Sequence, residues 1–237
     1  MDNRNYFIFD GISSASFDVY ISGGGVFDSP EPDYEVQSVP GLNGDLHFNN
    51  DRYKNVDGRY EAFIIRNFKE NFTAFKTALL QRNSYCRLED TYFPGQFRLA
   101  RVKSKLEPQM VQTLEGGTFT IEFDCKPQRF LKSGERAIEL TSSGSVIINN
   151  GMEAKPLVKV YGSGSGTITF GGRTVALKSI SSYVMLDCEI QNAYKGTLNK
   201  NSTISAPVYP TLLPGRNTIG WTGGVTKVEI TPRWWVL

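Results

Sequence analysis

Few side chains in this sequence can do chemistry, and their spacing limits what that chemistry could be. The 237 residues hold one histidine, His47. A His-based triad or acid–base pair would have to use it, and a poly-His metal site cannot exist within one chain. Asp45 and His47 alternate onto one side of a strand, while Asp51 lies beyond Asn49-Asn50, which reads as a turn. One imidazole without a second strong ligand is a poor metal set, so no metal is expected. Gly162-Ser163-Gly164-Ser165-Gly166 has the glycine content of a phosphate loop. It fits neither G-x-x-x-x-G-K-[ST] nor G-x-G-x-x-G, and no helix pattern follows, so it reads as a flexible strand connector. Arg101, Lys103 and Lys105 alternate onto one face. They could border a passage for nucleic acid or meet an acidic neighbour, against the default of a solvated face. Trp221, Trp234 and Trp235 raise carbohydrate stacking. Trp234 and Trp235 are adjacent, so in a strand at most one joins the core, and core or interface packing is the expectation for all three. No carboxylate pair in a recognisable setting accompanies them, so a glycosidase has no support. No catalytic residue and no cofactor is expected.

Composition narrows the classes further. Charged residues are 21% and hydrophobic ones 40%, the balance of a globular chain. Lys and Arg number 26 against 24 Asp and Glu, a net +2 that makes no case for a specific nucleic-acid site. The first residues carry only a four-residue apolar stretch closed by Asp10, too short for a signal peptide. No run approaches the roughly 18 apolar residues of a membrane span. Cys86, Cys125 and Cys188 are odd in number and far apart, and read as reduced residues of a protein made in a cytoplasm.

The elements that must position these residues are mostly strands. Residues 118–125 alternate with Phe119, Ile121, Phe123 and Cys125 on one face. The segments 85–90 and 97–102 flank Phe93-Pro94-Gly95 as a hairpin. One helix follows Asn67, where Asn67 and Glu70 form a capping-box pattern. Its Phe68, Phe72, Phe75 and Leu79 make one stripe, read as the core face of a helix lying on a sheet. Residues 127–134 read as a connector. Beyond it, short strands are expected at 145–148, 157–161, 167–170, 173–177, 183–190, 217–221 and 225–231, with a two-residue hairpin at Gly171-Gly172. This pattern gives a mainly β protein with two domains. Residues 1–130 form a β domain with one packed helix and 131–237 a β-sandwich, the last strand belonging either there or back on the first domain.

Serial motifs then carry a resemblance. Val39-Pro40-Gly41-Leu42-Asn43-Gly44-Asp45-Leu46 is similar to a V-P-G-x-N-G-D-L hairpin, and it is followed by the Phe68–Leu80 helix. Next come Cys86-Arg87-Leu88-Glu89-Asp90, Pro94-Gly95-Gln96-Phe97-Arg98 and Phe123-Asp124-Cys125-Lys126-Pro127. The second half adds Tyr161-Gly162-Ser163-Gly164, Asp187-Cys188, Pro214-Gly215-Arg216-Asn217-Thr218-Ile219 and Thr231-Pro232-Arg233-Trp234. In this order, over nearly the whole chain, they resemble the distal tail (Dit) family of long-tailed siphophages infecting Gram-positive bacteria.

The resemblance implies a structural hub in the virion, assembled in the host cytoplasm. It implies a homo-hexameric ring at the tail tip, between the tail tube protein and the tail-associated fibre or lysin protein, with receptor-binding proteins or a host glycan as further partners. It also implies that the C-terminal sandwich is galectin-like. Ring closure needs heterologous contacts through exposed β edges or arms. The hairpin of residues 36–48 is the expected arm, with Val39, Leu42, Asn43, Leu46 and Phe48 at the subunit interface and Asn43-Gly44 as its turn. Arg101, Lys103 and Lys105 would repeat six times in such a ring and could border its channel or equally face an acidic partner. The rival reading is a module that binds host-wall sugars through the C-terminal sandwich. That half holds no histidine, which counts against galectin-type sugar chemistry.

Overall fold

The aromatic alternation of Gly116–Cys125 makes it a central strand of an antiparallel sheet. In the computed structural model, which describes residues 4–103, 105–111 and 115–237, the order is Ile12–Ser13, Phe7–Phe9, Cys86–Asp90, Gln96–Val102, Gly116–Cys125, Val56–Ile64 and Tyr20–Ser22. Met1, Asp2 and Asn3, the start of the segment read for an export signal, lie outside the described residues. The expected hairpin is present, with Cys86 opposite Ala100 and Leu88 opposite Arg98.

One face of this sheet is apolar. Phe119, Ile121 and Phe123 lie beside Tyr60, Ala62 and Ile64 of the next strand, with Phe7 and Phe9 across the sheet. The helix Phe68–Leu80 covers that face with the stripe the spacing predicts: Phe68, Phe72, Phe75 and Leu79 are buried. Phe72 meets Phe119 edge-on with ring centres 4.9 Å apart, and Phe75 meets Phe7 at 6.1 Å. The opposite face is polar, carrying Arg59, Glu61, Thr120 and Glu122. This is the pattern of a sheet with one packed and one wet side.

The capping box does not form. Asn67 sits in the left-handed region at φ 51°, and its side chain caps nothing. An N-cap side chain reaches the first-turn amides from an extended backbone, which this conformation forgoes. Instead the Phe68 N–H donates to the Glu115 carbonyl at 3.1 Å, an acceptor remote in sequence.

The chain divides into the unit Met1–Arg129, with Leu237, and the unit Phe130–Val236. In the second, the expected short strands are fused. Leu157–Phe170, Arg173–Asp187 and Gly215–Thr231 are continuous strands of 14, 15 and 17 residues. A straight 14-residue strand would span roughly 46 Å, yet Val158 and Val160 at one end share a single core with Ile168 and Phe170 at the other. The strands must therefore bend, and each serves both sides of that core. The bends fall where the register shifts, between Gly162 and Gly166, so the glycine-serine run is inside a strand and is not a connector. The Gly171-Gly172 hairpin forms as expected, closing Phe170 against Arg173. The supposed connector after Pro127 is also structured, holding the strand Arg129–Leu131 and a 3₁₀ turn at Lys132–Glu135.

The tail of this unit is held by backbone hydrogen bonds, among them the Arg233 N–H to the Gly134 carbonyl at 2.9 Å, and by an ion pair. Arg233 takes a left-handed φ of 56° and forks onto Asp187, with Nη1 and Nη2 at 2.7 and 2.9 Å from its two oxygens. Trp234 lies outside the closing strand Trp235–Val236, so strand alternation does not govern the pair, and both lean on the core, against the expectation that one at most could. Burial works to raise the Asp187 pKa, but the hydrogen bonds and charge of Arg233 outweigh it and hold the carboxyl below its usual value. A depressed carboxyl stabilises the fold above its unfolded pKa and loses that contribution as pH falls through the folded one. Asp187→Asn should therefore cost about 2 kcal/mol at pH 7, with the gap from wild type narrowing as pH falls below about 4. Urea denaturation at both pH values measures it; a gap independent of pH would refute the ion-pair account.

Candidate functional site: an exposed arm and a charged strand

The hairpin expected as an arm is a two-stranded sheet of its own, pairing Pro32–Ser38 with Asp45–Tyr53. Its turn is closed by the Leu42 N–H donating to the Val39 carbonyl at 3.1 Å, with Gly41 at φ 86°. Pro at the second position and a positive-φ Gly at the third define a type II turn. The hydrogen-bonded turn pair is thus Pro40-Gly41, while Gly44 also takes a positive φ of 87° in the tip, beside Asn43. At the base, Asn49-Asn50 is no turn: the strand runs on to Tyr53 through an irregularity in which Asp51 adopts φ 52° and its N–H donates to Asn49 Oδ1. Arg52 closes on Asp33 at 2.5 Å and holds that carboxyl below its ordinary pKa.

Directly paired residues share a face, so the register sorts the side chains. Phe48 with Glu35 and Leu46 with Gln37 lie on one face; His47 with Val36 and Asp45 with Ser38 lie on the other. Tyr34 joins the second face, its ring centre 5.2 Å from that of His47. Asp45 and His47 do share a side, as expected, but among the described residues no three His, Cys, Asp or Glu groups gather as a metal site. Tyr34, Val36, Leu42, Leu46 and Phe48 are each between 41% and 53% exposed. Val39 is half-buried, and Asn43 is exposed at the tip. Apolar side chains on both faces of a ribbon leave it no core of its own, and an isolated hairpin is marginal in water.

The basic segment is different: its strand ends at Val102, so of the three cations Arg101 alone lies on it, against the expectation of one shared strand face. Arg101 pairs with Asp124 at 2.8 Å, Lys103 with Asp57 at 2.6 Å and Lys105 with Glu107 at 2.6 Å. Asp124 also accepts from the Tyr85 hydroxyl and the Asn55 amide at 2.8 and 2.7 Å. Burial pushes the Asp124 pKa up, but these donors together hold it below the usual carboxylate range. Each cation thus has its own acid, which removes the net positive field that a nucleic-acid path would need. Among the described residues no helix is long and apolar enough to cross a membrane.

No family model matches the sequence, and no curated protein matches it. Solved structures do. The Dit protein of SPP1, described as a paradigm hub of the adsorption apparatus in phages that infect Gram-positive hosts, superposes with a TM-score of 0.77 over 98% of this chain and 99% of its own, at 11% identity. The chain has the Dit fold. A second match, in the phage P2 baseplate in its calcium-activated conformation, covers 97% of this chain and 98% of that one, with a TM-score of 0.51 at 10% identity. The Dit fold thus runs through both units, and the mainly β architecture with one helix that the sequence implies is the one observed.

Proposed function

We propose that this chain is a structural hub of a phage tail tip or baseplate, a component of the virion that closes into a homo-hexameric ring. In that ring it joins the tail tube protein on one side to the tail-associated fibre or lysin protein on the other, with receptor-binding proteins as further partners. The observation that carries the reading is the end-to-end correspondence with a hub protein, in which neither chain has a large segment left over. The arm supports it. A cyclic ring needs a surface on each subunit that fits a different surface on the next, and a ribbon with Leu42 at its tip and Leu46 and Phe48 on one face supplies one half of such a contact. The role is non-enzymatic in this reading.

The sugar-binding rival has less support, because its three indoles are partly buried. Trp221, Trp234 and Trp235 all pack against the sandwich core, and the Trp235 indole N–H donates to the Glu153 carbonyl at 2.9 Å. Size-exclusion chromatography with light scattering tests the reading: a discrete species of six chain masses is expected. A monomer that is retained on immobilised host-wall glycan would overturn it in favour of the rival.

A further inference from the structure

The strand Gln96–Val102 reads Phe-Arg-Leu-Ala-Arg-Val from its second residue, a pattern that either face could claim. The structure turns Arg98 and Ala100 inward. Arg98 is only 6% exposed; its Nε and both Nη atoms have no oxygen or nitrogen partner, its hydrogen-bonding neighbour being the Cys125 sulfur, while the buried Gln96 Oε1 in the same lining is unpartnered too. It lines a small cavity of about 20 Å³ together with Tyr60, Asp90, Phe93, Gln96, Cys125 and Arg129, among others.

The ionisable groups around that cavity do not balance. Arg129, 9% exposed, is a second buried guanidinium; it donates to the Val26 carbonyl and lies 4.7 Å over the Phe93 ring. Asp90 is the one acid in the lining, and both its oxygens are engaged, Oδ2 by the Tyr60 hydroxyl at 2.7 Å and Oδ1 by the Phe93 N–H at 2.9 Å. Burial pushes the Tyr60 and Cys125 pKa values up, so both stay neutral at pH 7. Burial, and then the neighbouring Arg98 charge, work to lower the Arg129 pKa. Two cations therefore face one engaged anion. A buried charge without a counter-charge is among the costliest arrangements a fold can keep, and buried unpaired polar groups call for a bound water or ion.

We infer that this cavity is an anion site, in which a halide-sized monoanion such as chloride lies against the free N–H groups of Arg98 and offsets the second guanidinium of Arg129. Size selects the class. A volume of this order holds one particle of about a water's dimensions, which excludes phosphate and sulfate. Charge then selects within the size, because a water satisfies a donor but leaves the surplus charge.

Bromide tests the site directly. Crystals of the full chain grown in bromide should show an anomalous peak within hydrogen-bond distance of the Arg98 guanidinium; density there without anomalous signal means a water and overturns the inference. In solution, thermal melting is followed across a chloride series held at constant ionic strength with gluconate. The transition of the first unit should rise by about 5 °C per tenfold increase in chloride above the dissociation constant. In Arg98→Met that rise should vanish. No rise in wild type, or equal rises in both proteins, would overturn the inference. Should Arg98→Met fail to fold, the bromide crystal and the wild-type series decide.

Discussion

A chain lacking residues 40–45, with the gap closed, should fold normally and fail to assemble. The deletion removes the Pro40-Gly41 turn that holds the register of the arm, and with it Leu42 at the tip. Leu46 and Phe48 then lose the frame that sets them on one face. Leu42, Leu46 and Phe48 are about half exposed, so covering each contributes roughly 0.8–1.5 kcal/mol, and losing all three lowers affinity by about two to three powers of ten at every joint of the ring. The first core is untouched, because its residues come from the sheet and the helix and none lies between 27 and 55. Circular dichroism and the melting temperature should therefore match wild type, while negative-stain images of the deletion show no rings. Rings of unchanged size would sink the arm as the subunit contact and leave the hub reading standing on the fold alone.

What the sequence disclosed follows from the range of each signal. The helix stripe was legible because spacings of 4, 3 and 4 between Phe68, Phe72, Phe75 and Leu79 are local and have one meaning. The Gly171-Gly172 hairpin was legible for the same reason. The arm could be suspected from its scarcity of core-forming residues, and the structure shows where those few point. Other signals depended on partners far along the chain. Arg101 and Lys103 find acids 23 and 46 residues away, so three alternating cations looked like a free basic face. Asn67 and Glu70 matched a capping pattern, but the amide after Asn67 goes to Glu115 and the backbone turns left-handed. Arg98 gave no warning, since the alternation of its strand permits either face.

The glycine-serine run shows the limit most clearly, and it yields the second large effect. Glycine marks turns, but it also marks places where two backbones pass too close for a side chain. In the second unit Leu157–Phe170 and Gly215–Thr231 pass in this way. A Cβ added to Gly224 would lie 1.7 Å from the Ser163 carbonyl oxygen, and one added to Gly162 would lie 2.1 Å from the Gly224 carbonyl oxygen. These obstacles are backbone atoms, so no rotamer change relieves them. Gly224→Ala should force the strands apart at their bend and cost at least about 3 kcal/mol, the upper end of overpacking penalties. Gly220, four residues earlier in the same strand, is the control: its added Cβ meets nothing closer than 3.9 Å, and its φ is not in the left-handed region. Gly220→Ala should be neutral or slightly stabilising, since glycine weakens a strand interior by about 0.5–1 kcal/mol. Urea denaturation of the two variants beside wild type separates a close-approach role from a loop. If Gly224→Ala is as stable as Gly220→Ala, the run is the flexible connector its composition suggests, and the account of three long strands bent around one core fails with it.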